Sequence, residues 1–434
     1  MTDSIDSPHN HSTADSDVCG CDDFKSSRRG FLGGVATLAG AGVLSAVHGT
    51  AFSQAAFAAS GVSPGTIVVI SLRGGADGMS MVVPHSETAY YTARQTIGVP
   101  ADALLQKGTT FGLHPAFKPL EQMWIDKKFA AVHAVGLPQP NRSHFSAMEV
   151  IEDADPGSKD RIGWLNRLVG LSGGISPFEA VNVGDCIVPT ELFGPAPSLA
   201  VRRITDLTLA GPTEVEAHKQ RIASLQASFK PDQGPLGNGA RSAVEVSEAY
   251  GKLPPPGGPR NGAVYPNSDL GDALADGANL LRDNLGVEVL TVDSGSWDLH
   301  AGIGTLDYGA MKGLISDLAL SIAAFFKDLG PTLADTVTVV TISEFGRRLQ
   351  ENAAKGLDHG YGNCMLLLGA GVNGGDVYGE WPGLNSQDLT EGDLKMTRDY
   401  RSVLADVVKA RFNPDMSKVF PGFTPEPIGA MRAA

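Results

Sequence analysis

Carboxylates, imidazoles, hydroxyls and guanidiniums follow four buried β-strand sequences in this chain of 434 residues. In chain order these groups are Asp77, Asn141, Arg142, Ser143, His144, Asp293, Asp298, His300, Ser343, Glu344, Arg347, Arg348, Asp358 and His359. Ligands of open α/β sheets bind outside the carboxyl ends of the strands, so we expect these side chains to meet at one edge. Oxygen and nitrogen donors of this kind bind zinc, manganese, magnesium or calcium.

Two pairs have the character of metal ligands. Asp298 and His300 alternate on an extended segment, so both side chains point the same way and would share one cation, unless either caps the following helix. Asp358 and His359 stand in a glycine-rich loop, where a histidine rarely has a packing role. We predict both pairs as metal ligands.

Two further carboxylates are candidate ligands with structural alternatives. Asp77 lies between glycines and is also a natural turn residue. Glu344 follows a β-branched strand, and it is either a ligand or the buried ion-pair partner of Arg347 or Arg348.

One hydroxyl and several guanidinium groups are candidates for attacking or binding a substrate. Ser143 is the candidate nucleophile, although it also precedes a helix for which residues 146–149 predict a capping box. Arg142, Arg347 or Arg348 would hold substrate oxygens through paired hydrogen bonds.

Continuous apolar and β-branched runs predict the strands that carry these groups, because such runs suit strands buried on both faces of a parallel sheet. The predicted strands are 66–70, 129–135, 287–292, 336–342 and 364–368. Apolar residues at helical spacing predict a helix over 308–325 and a last helix beginning near Thr397. Strands that alternate with helices predict an α/β fold with a largely parallel central sheet flanked by helices.

Two glycine-rich stretches need separate interpretation. Residues from about 230 to 271 are rich in glycine and proline, and we interpret them as an excursion within the domain or a linker. Residues 369–374 match the glycine pattern of a dinucleotide-binding loop, but the turn-rich sequence after them predicts no helix to receive a pyrophosphate. This disfavours an exported flavin or quinone oxidoreductase.

Residues 1–58 predict an export signal. Arg28 and Arg29 precede an apolar run over 33–47 and a small-residue cleavage site at 56–58, which is the order of a twin-arginine signal peptide. We expect the twin-arginine translocase as a partner during export and a periplasmic or secreted location. The run is too short and glycine-rich to cross a bilayer, so we expect no stable membrane span in the mature protein.

The charge balance restricts the partners. With 34 Lys+Arg against 48 Asp+Glu, the formal net charge is -14. Such an acidic chain is a poor candidate for binding nucleic acid through phosphate neutralisation. It can bind a small anionic substrate only through a bound cation or a local group of arginines.

The leader and five motifs together resemble a family of exported bacterial proteins of unknown function, characterised by Ser-Glu-Phe-Gly-Arg and Asp-His-Gly motifs. The motifs lie at 72–78, 142–146, 343–347, 358–360 and 374–384. That family is similar in fold to the alkaline phosphatase and sulfatase superfamily. The resemblance covers nearly the whole chain and implies a single alkaline-phosphatase-like domain over 59–434.

The resemblance also implies roles for individual residues. Asp77 would be the first metal ligand, and Asp298 and His300 would bind one metal. Ser143 would stand at the nucleophile position, near a helix N-terminus that favours an anion. His359 would be the late histidine ligand.

The chain departs from the superfamily at one strand end. The superfamily usually has an Asp-His pair after the strand that ends here at Ser343, whereas this chain has Glu344 and Phe345. Glu344 can replace a carboxylate ligand, but Phe345 cannot replace an imidazole. Either Asp358 and His359 restore the pair from another loop, or one metal site is lost. We therefore expect one or two divalent ions.

Two functions remain open from the sequence. The first is an exported metal-dependent hydrolase of a phosphate or sulfate ester, in which metal ions activate Ser143 or a water. The second is a catalytically degenerate relative that keeps the fold and acts as a binding or assembly protein of the cell envelope. Phe345 is the residue that motivates this alternative.

Overall fold

The computed structural model describes residues 65–173, 176–209, 211, 214–230, 234–253 and 255–432. The predicted signal peptide lies outside these residues. Within them, none of the helices has the length and apolar character needed to cross a membrane.

A nine-stranded sheet forms the centre of the fold. Its strands are β1 (Thr66–Leu72), β2 (Phe129–Gly136), β3 (Ala180–Val183), β4 (Leu199–Val201), β5 (Val289–Ser294), β6 (Val337–Ile342), β7 (Asn363–Gly369), β8 (Val377–Tyr378) and β9 (Arg398–Asp399). Their order is β8-β2-β7-β6-β1-β5-β3-β4, and β9 also pairs with β2. All pairings are parallel except those of β7, which runs antiparallel to β2 and β6. The predicted α/β fold with a largely parallel sheet is confirmed.

Helices cover both faces of this sheet. They are α1 (Gly78–Met81), α2 (Thr88–Ala93), α3 (Glu121–Ile125), α4 (His144–Asp153), α5 (Trp164–Leu171), α6 (Val215–Phe229), α7 (Pro235–Tyr250), α8 (Asp269–Arg282), α9 (Ala310–Ala334), α10 (Tyr400–Arg411) and α11 (Met416–Val419). Every residue of β1 is buried, and its side chains alternate between two apolar clusters. Val68 and Ile70 pack on the side of α8 and α9, whereas Ile67 and Val69 pack on the side of α4, α5 and α10.

All five predicted strands are present, displaced by at most two residues at either end. The predicted helix over 308–325 is the first part of α9, which bends at Gly330 (φ 70°) before Pro331. The predicted last helix begins at Tyr400 rather than near Thr397.

The predicted capping box at 146–149 is wrong. Helix α4 begins at His144, with Ser143 at its N-cap position, so Ser146 lies inside the helix. The Ser146 hydroxyl instead accepts a hydrogen bond from the Asn141 amide (3.0 Å). The earlier start matters because it places His144 at the first helical residue, next to the end of β2.

The two glycine-rich stretches have different structures. The stretch from about 230 to 271 contains α7, and residues 255–268 form neither helix nor strand. After β7, residues 370–376 turn and lead into β8 without a helix, as the turn-rich sequence predicts.

The strand directions bring four loops to one edge of the sheet. Strands β1, β2, β5 and β6 point the same way, so their carboxyl ends lie at a common edge. Because β7 is antiparallel to β6, the single loop over 343–362 leaves the end of β6 and returns to the start of β7 at that same edge. This loop contains Asp358 and His359.

Candidate metal centre

Three imidazoles and one carboxylate converge at this edge. His144 Nε2, His359 Nε2 and Asp298 Oδ1 lie within 4.8 Å of one another. His359 Nε2 is 3.0 Å from His144 Nε2 and 2.9 Å from His300 Nε2. Asp298 Oδ1 lies 3.0 Å from His300 Nε2, 3.4 Å from His359 Nε2 and 3.6 Å from His144 Nε2. Three imidazole nitrogens and a carboxylate oxygen are the donors that bind zinc and similar divalent ions.

The other ring nitrogen of each histidine has a hydrogen-bond partner. The Nδ1 partners are Glu344 Oε1 for His144 (2.7 Å), Asp358 Oδ1 for His300 (3.1 Å) and the Arg142 carbonyl oxygen for His359 (2.9 Å). A proton on Nδ1 that is donated to such a partner leaves the Nε2 lone pair available. Metal-binding histidines are typically held in this way. The residues present therefore fit a divalent metal ion.

Arg347 connects the loops that carry the ligands. Its side chain is 1% exposed, and its guanidinium donates to Asp298 Oδ1 (2.6 Å) and to the carbonyls of Gly74, Gly75 and Leu357. The carbonyls of Gly74 and Gly75 belong to the loop after β1, Asp298 to the loop after β5 and Leu357 to the loop between β6 and β7, so the Arg347 guanidinium connects three loops. The structure places Arg347 in this network and not in the lining of the cavity described below.

The glycines of the Asp-His-Gly and Ser-Glu-Phe-Gly-Arg motifs allow the two arms of the loop between β6 and β7 to approach closely. The backbone of Arg347 pairs with that of His359 in an isolated antiparallel bridge. A Cβ atom on Gly360 would lie 2.4 Å from the Arg347 carbonyl carbon, and one on Gly346 would lie 2.0 Å from the Gly362 carbonyl oxygen. Any larger residue at either position would push the two arms apart.

The electrostatics of the cluster favour positive charge. Burial by itself raises the pKa of Asp298, but hydrogen bonds from His144, His359 and Arg347 hold it well below its usual range. Burial likewise lowers the pKa of His144, but the hydrogen bonds to Asp298 and Glu344 outweigh this and raise it to about 9. The carboxylate therefore stays ionised, and a metal ion bound at Nε2 of His144 would take the place of the proton that the raised pKa keeps on that ring.

The structure separates the predicted ligands into two groups. Asp298, His300 and His359 contribute atoms to the cluster itself. Glu344 and Asp358 lie one step further out, because their carboxylates accept hydrogen bonds from ligand histidines. Glu344 also accepts hydrogen bonds from the backbone N–H of Gly74 (2.8 Å) and the hydroxyl of Ser343 (3.0 Å).

Asp77 is not brought to the cluster. Its carboxylate is 1% exposed, and Arg94 binds both oxygens, with Nη2 2.9 Å from Oδ1 and Nη1 2.5 Å from Oδ2. The hydrogen bonds of its carboxylate oxygens are to Arg94, so the structure places Asp77 in a buried ion pair rather than beside a metal.

Ser143 and Arg142 also lie outside the lining of the cavity described next. The side chain of Ser143 is exposed, makes no capping hydrogen bond and does not line the cavity described next. The guanidinium of Arg142 binds Asp393 (2.5 Å) and Glu391 (3.2 Å). What Arg142 gives the centre is its carbonyl oxygen, on which His359 is oriented.

A cavity of about 640 Å³ opens onto the centre. Its lining includes Arg73, His144, Glu152, Asp298 and Glu344. Cavities of this size accommodate small-molecule ligands. Of these lining residues, His144 was expected at this edge but was not predicted as a ligand, and Arg73 was not predicted as a site residue. The place of His144 in the segment that follows a buried strand was the available signal.

Four charged side chains gather at one wall of this cavity, of which Glu152 and Glu191 are buried and Arg73 and Asp293 are partly exposed. Arg73 contacts Glu152 Oε1 (2.6 Å) and Asp293 Oδ1 (3.0 Å), and Glu191 is only 2% exposed and has no ion-pair partner within 4.0 Å among the described residues. Burial, reinforced by the neighbouring Glu152 carboxylate, raises the pKa of Glu191 well above its ordinary value, and Arg73 only partly opposes this.

This raised pKa predicts a pH-dependent stability. Between the unfolded pKa of about 4.3 and the higher folded pKa, the native state holds a proton that the unfolded chain has released, so the free energy of unfolding falls as pH rises. Glu191→Gln cannot ionise and is expected to raise Tm relative to the wild type more at about pH 8 than at about pH 4. Thermal unfolding at both pH values measures this. An equal change in Tm at both, or a change matched by the exposed Glu216→Gln, would contradict the prediction.

Solved structures similar to this one have low sequence identity to it. One is a protein in the alkaline phosphatase superfamily from Vibrio parahaemolyticus, with 8% identity and a TM-score of 0.32, covering 79% of this chain and 65% of that chain. Another is the PsFucS1 sulfatase from Pseudoalteromonas sp., with 11% identity and a TM-score of 0.30, covering 80% and 67%. A third is the C-terminal periplasmic domain of EcEptC from Escherichia coli in complex with Zn, with 10% identity and a TM-score of 0.34, covering 83% and 88%. The chain thus spans about two thirds of the length of the first two.

Sequence comparison identifies a family. No curated protein matches the chain. The model of the family described as "Protein of unknown function (DUF1501)" matches residues 124–407, which is more than half of the chain. The matched segment contains His144, Asp298, His300 and His359. The chain therefore belongs to the DUF1501 family of proteins of unknown function.

Proposed function

We propose that this protein is an exported, metal-dependent hydrolase of phosphate or sulfate esters. The observation that carries the proposal is the convergence of three imidazole Nε2 atoms and Asp298 Oδ1 beside an open cavity. The ligand side chains of His144, Asp298, His300 and His359 are between 17% and 33% exposed, so a substrate can approach them. The sequence of the leader supports export.

The donor set favours particular metals and one ion. Three imidazoles favour zinc, and the Asp298 carboxylate also gives manganese an oxygen ligand, whereas calcium and magnesium prefer ligand sets made of oxygen. One cluster of metal-ligand geometry is found among the described residues. We therefore propose a single zinc or manganese ion, held by His144, Asp298, His300 and His359. When bound, such an ion supplies Lewis-acid polarisation of an ester oxygen.

The protein residues have separate tasks in this function. Glu344 and Asp358 hold the Nδ1 protons of His144 and His300, which fixes the tautomer in which Nε2 is the donor atom. Arg347 fixes the Asp298 carboxylate from the buried side. Because Ser143 does not line the cavity, we propose that water rather than the Ser143 hydroxyl is the nucleophile.

Metal removal and reconstitution test the proposal. We expect about one zinc or manganese ion per chain by mass spectrometry of the mature protein, in line with the single donor cluster. Hydrolysis of 4-nitrophenyl phosphate, its diester or 4-nitrophenyl sulfate should disappear after chelation and return when the metal is restored. Ser143→Ala is expected to keep this activity.

Two outcomes would contradict this function. Protein that is folded and retains no metal would remove its basis. Protein that binds one ion tightly but hydrolyses none of the esters would favour the binding or assembly protein of the cell envelope.

A further inference from the structure

One arginine faces the cavity from the end of β1. Arg73 follows the last residue of β1 and lines the same cavity as His144 and Asp298, and its side chain is 30% exposed. The three arginines first considered as substrate clamps do not belong to this lining, and one of them, Arg348, lies 3.6 Å from Asp393 Oδ1. Arg347 is engaged with loop carbonyls and Asp298, and Arg142 with Asp393 and Glu391.

Two carboxylates hold the guanidinium of Arg73, but they do not use all of its N–H donors. Its Nε donates to Asp293 Oδ1 at 3.0 Å, and its Nη2 lies 2.6 Å from Glu152 Oε1. Glu152 is itself fixed, because its second oxygen accepts a hydrogen bond from the backbone N–H of Thr190 (3.0 Å) and its side chain is only 5% exposed. A guanidinium has five N–H donors, and among the described residues the structure gives Arg73 no further partner for those that remain.

The acidic residues of the cavity wall have partners of their own. Glu149 pairs with Arg161, and Glu344 accepts from His144 and Gly74. Their charge is therefore compensated inside the protein. A ligand in the cavity can therefore contact the cation site and the unused N–H donors of Arg73.

We propose that Arg73 binds the oxyanion of the substrate, a tetrahedral phosphate or sulfate group, through the N–H donors that Glu152 and Asp293 leave unused. The proposal rests on the proposed function, because it assigns the second contact of the same anionic group. Arg73 is charged at any pH that the protein tolerates, and its planar fork matches two oxygens of a tetrahedral anion. Glu152 and Asp293 act as positioning residues that limit the motion of the guanidinium before the anion arrives.

Binding of inorganic phosphate and sulfate tests this without relying on turnover. Isothermal titration calorimetry of the metal-loaded protein should give a Kd for each anion, and Arg73→Met is expected to weaken it by about tenfold to a hundredfold, the usual effect of losing a charge-assisted hydrogen bond. Arg202→Met removes an arginine that is exposed and absent from the cavity lining. This control should change Kd by no more than about twofold.

A conservative variant covers the case in which Arg73→Met fails to fold or to bind metal. Arg73→Lys keeps a cation beside Glu152 and Asp293 but loses the planar fork. We expect it to fold and to hold the same amount of metal, with phosphate Kd weakened by about fivefold or more. Unchanged anion Kd in either variant, at unchanged metal content, would overturn the proposal and leave Arg73 a structural residue.

The two proposals fail in distinguishable ways. If the wild type hydrolyses esters but the Arg73 variants bind phosphate and sulfate with unchanged Kd, only the Arg73 assignment is overturned. Anion binding that depends on Arg73 in a wild type that hydrolyses no ester would uphold the assignment of Arg73 as an oxyanion ligand and overturn the hydrolase.

Discussion

His359→Ala is expected to remove the bound metal and ester hydrolysis together while leaving the protein folded. His359 Nε2 lies 3.0 Å from His144 Nε2 and 2.9 Å from His300 Nε2, so it is the imidazole in contact with both others. Its loss removes one of the four proposed ligands and the imidazole that links the other two, so metal affinity falls steeply. The Lewis-acid contribution of a metal is several kcal/mol, so we expect kcat/KM to fall by about a thousandfold or more.

Glu344→Gln is the matched comparison for this variant. The amide oxygen of glutamine can still accept the Nδ1 proton of His144, but the negative charge that strengthens the imidazole as a ligand is lost. Changes to such outer partners typically weaken metal affinity about 10-fold to 100-fold. A competition titration with a chromophoric chelator should therefore rank the wild type first, Glu344→Gln second and His359→Ala last.

Circular dichroism and Tm control for folding in both variants, because the His359 side chain is 17% exposed and its removal opens little of the core. Metal content and turnover that both persist in folded His359→Ala would refute the proposed centre. If Glu344→Gln instead equals His359→Ala in metal loss, Glu344 is a direct ligand, which is one of the two roles that the sequence left open.

The groups that follow the strands could be predicted, because carboxylates and imidazoles are unusual directly after a buried apolar run. A buried β-branched run predicts a parallel strand, and a carboxylate or imidazole after it predicts a group at the ligand-binding edge. Asp298, His300 and His359 were found in this way. The antiparallel direction of β7, which brings His359 to the same edge, depends on pairing across the sheet, and no local pattern encodes it.

His144 and Asp77 show where local patterns misled. Ser146 and Glu149 match a capping box, and this moved the expected start of α4 past His144 and concealed its role. Asp77 has the turn chemistry and position of a ligand, but its partner Arg94 lies 17 residues later and reaches it only through the fold. Burial of both side chains cannot be read from either segment alone.

Asp77→Asn tests the outcome for that pair and is expected to destabilise the protein strongly. Arg94 is fully buried, with 0% of its side chain exposed, and Asp77 is the carboxylate that compensates its charge. Breaking a buried pair by removing one partner typically costs about 3–5 kcal/mol, because an uncompensated charge remains in the interior. The midpoint of urea unfolding should fall accordingly, with an unchanged slope.

The same variant separates a structural Asp77 from a ligand. Asp77→Asn that is assayed well below its unfolding midpoint should still bind about one metal ion, because the four proposed ligands are intact. An Asp77→Asn/Arg94→Met double variant should recover part of the lost stability, since the stranded cation is removed with its partner. The opposite pattern, in which metal is lost while the free energy of unfolding is unchanged, would mean that Asp77 binds the metal in solution. In that case the Asp77 carboxylate would pair with Arg94 only when no metal ion is bound.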